Sequence, residues 1–252
     1  MPHQQIVRRL GLVTAIAIVG LALFLGHSHS VKTETAQESS AVAAPVRDAS
    51  QYPLTIASLT ERYLDEMQAM YKYSAYAEKA RAEDYPHIAY LFDALAHSEA
   101  LHARNFARQL TDLGVVVDIS PQFEFEVPKT RDNIKHATAV EMDEIAHRYP
   151  DVLKEIKSEQ HQEAIQFMTY AWEAERQHRD LLQKIQRAAK KYFGMLAAHI
   201  EGEAAHYYVC EICGSTLTEL PKETCPICTH PAKHYFEVPG FPGVKSDEEN
   251  DW

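Results

Sequence analysis

Cysteine and positive charge are both scarce in this sequence. The chain has 252 residues but only four cysteines, all between positions 210 and 228. This clustering excludes a disulfide framework that staples the whole chain, and it indicates one local site. The formal net charge is −11, so we expect no nucleic-acid partner. No G-x-G-x-x-G motif follows a strand pattern, so we expect the chain itself to bind no nicotinamide.

One long hydrophobic run stands near the N-terminus. Residues 10–26 carry no charge and directly follow Arg8 and Arg9. The run is longer than a typical signal-peptide core and shorter than the ~20 residues that span a bilayer. We therefore interpret residues 1–30 as a signal peptide or membrane anchor. The protein would then be exported, either periplasmic or anchored to the outer face of the cytoplasmic membrane, with membrane contact only through this segment.

The middle of the chain has the periodicity of helices. Residues 31–54 are polar, lack a clear period and are typical of a linker. Beyond them, apolar residues recur at steps of three and four in four separate stripes. The pattern predicts a mainly α fold with a four-helix bundle over residues 55–203. A longer stretch at 112–131 suits a crossover between helices 2 and 3.

The two short turns of the bundle carry capping signals. Near residue 83, Asp84 can cap the second helix and Pro86 can start it. Near residue 160, Ser158 is a possible cap for the fourth helix.

Acidic residues and histidines interrupt the apolar stripes at matching heights. They are Glu66 on helix 1, Glu99 and His102 on helix 2, Glu141 and Glu144 on helix 3, and Glu175 and His178 on helix 4. An unpaired buried carboxylate is costly, and the first two stripes offer no lysine or arginine to pair with it. Bound metal therefore explains the pattern better than a salt-bridge network. Two Glu-x-x-His motifs with further glutamates form the di-iron pattern of ferritin-like bundles, although the ligands also suit manganese.

The four cysteines form a second predicted metal site. Cys210, Cys213, Cys225 and Cys228 make two Cys-x-x-Cys pairs, a spacing that predicts a tetrahedral four-thiolate centre. This geometry permits either zinc or a single iron. We assign residues 204–240 to this module and residues 241–252 to an acidic tail.

The bundle followed by this module resembles the rubrerythrin family over residues 55–240. The resemblance implies a di-iron bundle with a rubredoxin-like C-terminal domain that holds iron. Thr229 departs from the pattern, because many rubredoxins have glycine after the last cysteine.

The resemblance also implies ligand roles for the acidic residues. By similarity, Glu99 and Glu175 bridge two irons. Glu66 binds one iron, and Glu141 and His178 bind the other.

Two further roles follow from the same resemblance. In the family, the first iron exchanges the carboxylate matched by Glu144 for the imidazole matched by His102 as the redox state changes. Tyr73 and Tyr149 match tyrosines that bond to ligand carboxylates, although simple core packing would explain them as well.

The function implied is that of a di-iron peroxidase in oxidative-stress defence. It would reduce hydrogen peroxide to water with electrons transported through the four-cysteine iron. An external electron-donor protein would supply them, and a homodimer would place the exchanging centres on different subunits. The alternatives are a ferritin-like iron-oxidising or iron-handling protein, and a metal-binding scaffold with a structural zinc ribbon.

Overall fold

The computed structural model describes residues 49–200 and 206–239, without the side chains of residues 188–200. The predicted leader, most of the predicted linker and the acidic tail lie outside the described residues. Within the described ranges, no helix is both long and apolar enough to cross a membrane.

The described chain is mainly helical, as predicted. Its helices are α1 Pro53–Ala82, α2 Pro86–Asp112, α3 Thr130–Asp143, α4 Tyr149–Ile156 and α5 Gln162–Ile200. A π-helical segment, Glu144–Arg148, joins α3 to α4 without a break. The α3, π and α4 segments therefore together make up the third of the four helices of the bundle.

Helix α1 begins inside the predicted linker. A 3-10 turn at Ala49–Gln51 precedes it, and Pro53 occupies its first turn, where proline lacks only a hydrogen bond that the helix does not need. The carboxylate of Glu159 accepts hydrogen bonds from the backbone N–H groups of Leu54 at 2.8 Å and Thr55 at 2.7 Å. A side chain from the 3-10 turn Lys157–Glu159, which follows α4, thus satisfies the start of the first helix.

Both caps expected at the short turns are wrong. Asp84 takes a left-handed conformation with φ 58°, and Tyr85 stands at the cap of α2. The hydroxyl of Ser158 bonds back to the carbonyl of Glu155. The imidazole of His161 caps α5 instead, because its Nδ1 accepts a hydrogen bond from Ala164 N at 3.1 Å.

Two apolar clusters enclose the middle layer of the bundle. One cluster is built around Leu91, Phe92 and Leu95 of α2, and the other around Leu59 of α1 and Phe106 of α2. The acidic residues and histidines of the sequence pattern lie between the two. The layer that contains the polar residues is therefore sealed at both ends by packed apolar side chains.

Residues 113–129 connect α2 to α3, close to the predicted crossover. Gly114 starts this connection with φ 78°, a conformation that glycine adopts without steric cost. Tyr63 donates a hydrogen bond to the carbonyl of Asp118 at 2.5 Å, which ties the connection to α1.

The C-terminal module is a small antiparallel sheet in the order β2-β1-β3. Its strands are β1 Tyr208–Cys210, β2 Thr216–Leu217 and β3 Tyr235–Glu237. Val209 pairs with Thr216 on one side and with Phe236 on the other. A 3-10 turn, Ala232–His234, leads into β3.

We predict that Glu159→Gln lowers the free energy of unfolding by about 0.5–2 kcal/mol, the usual cost of losing a helix cap. Partial burial opposes ionisation, but the bonds from Thr55 and Leu54 hold the pKa of Glu159 below its ordinary value. The contribution is therefore present above the unfolded pKa of about 4.3 and is lost as pH falls through the lower folded pKa. Urea denaturation at neutral and acidic pH measures it.

Glu155→Gln, at an exposed position of α4, is the matched control and should leave stability unchanged. Equal effects of the two substitutions would contradict the capping role of Glu159.

Candidate metal centres

Two overlapping groups of buried side chains lie at the middle of the bundle. In each group the ligand atoms all lie within 4.8 Å of one another. The first group contains Glu66, Glu99, His102 and Glu175, and the second contains Glu99, Glu141, Glu175 and His178. The spacing of each Glu-x-x-His motif places its carboxylate and imidazole on one face of the helix. The structure therefore brings together every predicted ligand of this site except Glu144.

Glu99 and Glu175 belong to both groups, which is the position expected of bridging carboxylates. His102 Nδ1 lies 2.9 Å from Glu99 Oε2 and 3.2 Å from Glu175 Oε1. His178 Nδ1 lies 2.8 Å from Glu175 Oε2 and 3.2 Å from Glu99 Oε1. Each of the two carboxylates thus offers one oxygen to each imidazole, and this near-symmetric arrangement suits a pair of cations.

Unsatisfied oxygen atoms support the fit to metal. Glu141 Oε2 and Glu175 Oε1 are buried and have no hydrogen bond of good geometry from the described residues, although Glu175 Oε1 lies 3.2 Å from His102 Nδ1. Such atoms are costly unless a proton or a cation satisfies them. Four carboxylates and two imidazoles from four helices also form the donor set of di-iron bundles. The residues present therefore fit two iron ions.

Burial and mutual repulsion strongly perturb the protein groups themselves. Burial, reinforced by Glu99 and Glu175, raises the pKa of Glu66 to about 8. Burial likewise raises the pKa of Glu141 well above its usual range. Burial would lower the pKa of His178, but Glu99 and Glu175 raise it to about 9. Without a metal, the site therefore retains at neutral pH protons that free side chains would already have released.

Two buried tyrosines hold carboxylates of the site. Tyr73 donates a hydrogen bond to Glu141 Oε1 at 2.5 Å, and Tyr149 donates one to Glu66 Oε1. Burial first, and the neighbouring carboxylates next, raise the pKa of both phenols well above the ordinary value, so both stay protonated donors. The contacts expected of these two tyrosines are confirmed.

Glu144 is buried but lies outside both ligand groups. It opens the π-helical segment, and Trp172 Nε1 donates a hydrogen bond to the carbonyl of Ile145 in that segment at 3.0 Å. A π segment inserts one residue into a helix, and such insertions occur frequently at functional sites. Glu144, the second glutamate that the sequence pattern places on the third helix, thus lies where that helix departs from regular α-helical geometry.

The expectation that the first helix brings no cation to this layer is wrong. Arg62 lies one turn before Glu66, and its side chain is only 1% exposed. Its Nη1 lies 3.8 Å from Glu144 Oε1, while its Nη2 pairs with Asp65. The arginine faces inward because both of these acids compensate its charge.

The four cysteines form one buried cluster, as predicted. Their sulfur atoms lie within 4.8 Å of one another. Cys210 and Cys228 are 3.7 Å apart at sulfur, and Cys213 and Cys225 are 3.5 Å apart, with no disulfide between them. Tyr235 donates its hydroxyl to Cys225 Sγ at 3.1 Å. A group of four thiolates at this spacing fits a rubredoxin-like iron.

A residue with a left-handed backbone follows each Cys-x-x-Cys pair. Gly214 has φ 78° and Thr229 has φ 60°. The β-branched side chain makes this conformation costly at Thr229, where its hydroxyl bonds to the carbonyl of Cys228 at 2.7 Å. The two pairs therefore have matching geometry although only one of them has glycine.

The four-cysteine module contacts both imidazoles of the bundle site within the same chain. His102 Nε2 lies 3.2 Å from the carbonyl oxygen of Cys213, and His178 Nε2 lies 3.3 Å from Thr216 Oγ1. Ser98 donates a hydrogen bond to the carbonyl of Gly214 at 2.6 Å. The nitrogen that each imidazole turns away from the carboxylates thus meets the loop that carries the thiolates.

Sequence reasoning missed the polar residues that fix this contact. Gln177 Oε1 accepts hydrogen bonds from Ser215 Oγ at 3.0 Å and from Thr216 N at 2.9 Å. Asn105 Nδ2 donates to the carbonyl of Ile212 at 2.9 Å. Their positions in the sequence could have indicated a role near the site, because Ser98 and Gln177 each stand immediately beside a residue of a Glu-x-x-His motif.

We predict that metal affinity rises with pH between about 6 and 8, since a cation must displace protons from Glu66 and the imidazoles. The raised pKa values also mean that the folded metal-free protein binds more protons than the unfolded chain. Its stability should therefore fall as pH rises from about 4.3 toward 9.

Titration with Mn²⁺, which prefers oxygen ligands to thiolates, measures both affinity and proton release at this site. An affinity independent of pH, with no proton released, would contradict the electrostatic description.

Comparison with known proteins agrees with this geometry. A family model described as Rubrerythrin matches residues 58–186. Rubrerythrin-2 of Clostridium acetobutylicum is 31% identical over 175 residues, covering 69% of this chain and 91% of that protein. Nigerythrin of Nitratidesulfovibrio vulgaris is 27% identical over 186 residues, covering 70% of this chain and 83% of that protein.

Solved structures show the same fold. The fully reduced state of nigerythrin matches with a TM-score of 0.63 at 22% identity, over 82% of this chain and 100% of that chain. A mycobacterial bacterioferritin matches with a TM-score of 0.54 at 18% identity, over 58% of this chain and 92% of that chain. The family match spans the whole ligand set of the bundle, and the chain belongs to the rubrerythrin family.

Proposed function

We propose that this chain is a di-iron peroxidase that reduces hydrogen peroxide to water in defence against oxidative stress. The reaction consumes one peroxide, two protons and two electrons, and it yields two waters. The observation that carries the proposal is the contact of the four-cysteine loop with His102 and His178. A site that only oxidises and stores iron has no need of such an electron port.

Each residue of the bundle site has a role in this proposal. Glu66, Glu99, His102, Glu141, Glu175 and His178 would hold the two irons, and Glu144 would serve as a movable ligand. When bound, the irons supply electrons and act as Lewis acids toward peroxide oxygen. The phenols of Tyr73 and Tyr149 would keep the outer carboxylates oriented by donating hydrogen bonds to them.

The protein also excludes water from the reacting centre. Glu99 and His102 are each 2% exposed, and Glu175 and His178 are fully buried. In such a medium hydrogen bonds and charges act more strongly than in water. The burial of these side chains would shield a bound metal pair from bulk water and from the side reactions that water allows.

Electrons would pass from the thiolate centre to the bundle one at a time. The backbone of Cys213 contacts His102 directly, so the route from a cysteine to a ligand imidazole crosses one hydrogen bond of 3.2 Å. The route lies within one chain and needs no second subunit. The homodimer, with exchange between subunits, stays a prediction from the family resemblance.

Export and an external electron-donor protein complete the proposal. The support for export is the uncharged run that follows the arginine pair near the N-terminus. An exported protein is separated from cytoplasmic nicotinamide, so its donor would be a protein of the same compartment. Cell fractionation with mass measurement of the mature chain decides whether residues 1–30 are removed.

Metal analysis and stopped-flow kinetics test the proposed reaction. We expect two irons in the bundle and one at the cysteines, and faster oxidation of the reduced protein by peroxide than by dioxygen. Glu144→Ala should retain the bundle and bind iron, yet turn over peroxide slowly. Zinc at the cysteines, or equal rates with the two oxidants, would contradict a dedicated peroxidase.

The contact between the two centres is tested by Gly214→Ala. A Cβ at this position would overlap the imidazole of His102 and lie 2.7 Å from Ser98 Oγ. The substitution should displace the loop, lengthen the path between the two centres and slow electron transfer to the bundle severalfold. The absorption spectrum of the four-cysteine iron should persist.

Gly114→Ala is the matched control, because this glycine has the same φ of 78° but open space around its Cβ position. It introduces the same backbone strain far from the contact. Equal rates of internal electron transfer in the two variants would exclude the proposed route.

A further inference from the structure

We propose that Arg62 is a positioning residue that holds Glu144 away from the di-iron ligand groups and so favours the reduced state of the site. The inference rests on the proposed role of Glu144 as a movable ligand. The structure places Arg62, Glu144 and Asp65 beside the site, whereas Glu144 is absent from both ligand groups.

The guanidinium of Arg62 has unused hydrogen-bonding capacity directed at this region. Its Nε and Nη1 atoms are buried and make no hydrogen bond to the described residues. The 3.8 Å between Nη1 and Glu144 Oε1 is an ion-pair distance but exceeds a hydrogen bond. A shift of Glu144 by about 1 Å would convert the ion pair into a charge-assisted hydrogen bond.

Arg62 is itself held in place by its surroundings. Asp65 and Glu61 both accept from its Nη2, and Asp65 in turn pairs with Arg148 Nη1 at 3.3 Å. The guanidinium also lies 5.8 Å from the ring centre of Tyr149, the phenol that bonds to Glu66. The cation therefore stays beside the site whichever position Glu144 adopts.

Glu144 consequently has two alternative partners of the same sign. It can pair with Arg62, or it can move to a cation in the ligand groups. Because Glu144 is buried, its ionised carboxylate would be strongly disfavoured without one of these two partners. Arg62 and the metal pair thus compete for one carboxylate.

Charge balance indicates which state each partner favours. The layer contains five buried glutamates, namely Glu66, Glu99, Glu141, Glu144 and Glu175. Two ferrous ions carry four positive charges, one fewer than the five carboxylates, and Arg62, which also pairs with Asp65, is the cation beside the fifth carboxylate, Glu144. Oxidation adds positive charge at the metals alone, so it draws Glu144 away from Arg62. The arginine therefore stabilises the reduced form relative to the oxidised form.

The midpoint potential of the di-iron site tests this role in a double-mutant cycle. Arg62→Met removes the charge while retaining an unbranched side chain. We expect the preference for the oxidised state to become about tenfold stronger, which lowers the midpoint potential by about 59 mV for a one-electron step. The shift should largely disappear in the Glu144→Gln background, where no carboxylate can be released.

Three further variants separate positioning from simple charge loss. Arg62→Lys should restore much of the potential. Arg148→Met removes a more exposed cation of the same network and should give a smaller shift that is equal in both backgrounds. If Arg62→Met does not fold, Asp65→Asn replaces it, because Arg62 freed from Asp65 would pair more strongly with Glu144 and raise the potential more when Glu144 is present than in the Glu144→Gln background.

An equal shift for Arg62→Met in both backgrounds, or no shift, would overturn the inference. Chemical denaturation of the metal-free proteins gives a second readout that requires no iron. There the four members of the cycle should show a favourable coupling between Arg62 and Glu144, and zero coupling would count against their pairing. A protein that binds no iron pair would end the proposed function, while the coupling would still decide whether the two side chains interact.

Discussion

The burial of five glutamates in one layer of an apolar bundle is the constraint on which the rest of this structure depends. The least buried of them, Glu144, is only 7% exposed. Carboxylates at this density repel one another and lose their hydration, so each needs a proton, a donor or a cation. Hydrogen bonds from the two phenols, contacts with the two imidazoles and the ion pair with Arg62 each offset part of this electrostatic cost. A bound metal pair would offset the rest.

The four-cysteine module also contributes to the polar layer, because it contacts both imidazoles. An imidazole that presents Nδ1 to carboxylates leaves Nε2 pointing away from them. The carbonyl of Cys213 and the hydroxyl of Thr216 meet these nitrogens on His102 and His178. Both imidazoles are buried where they meet the module. These two contacts therefore complete the polar layer and join the two metal centres.

Much of this arrangement could be predicted from the sequence, because Glu-x-x-His and Cys-x-x-Cys place their ligands through local geometry alone. Arg62 was missed although it lies four residues before Glu66, because the first stripe was defined by its apolar residues and was expected to offer no lysine or arginine. The caps also could not be predicted from nearby residues. His161 caps its helix with an imidazole, and Glu159 caps a helix distant in sequence.

The π segment explains how the third helix can bury Glu144 in the polar layer, although Glu144 belongs to neither ligand group. Glu144 and Tyr149 are five residues apart and both buried, a spacing that a regular α-helix would place on different faces. One inserted residue turns the following helix by about 100°. Because of this turn, Glu144 can face Arg62 while Tyr149 still reaches Glu66. The irregularity is therefore what allows a surplus carboxylate and a positioning phenol to occupy the same buried layer.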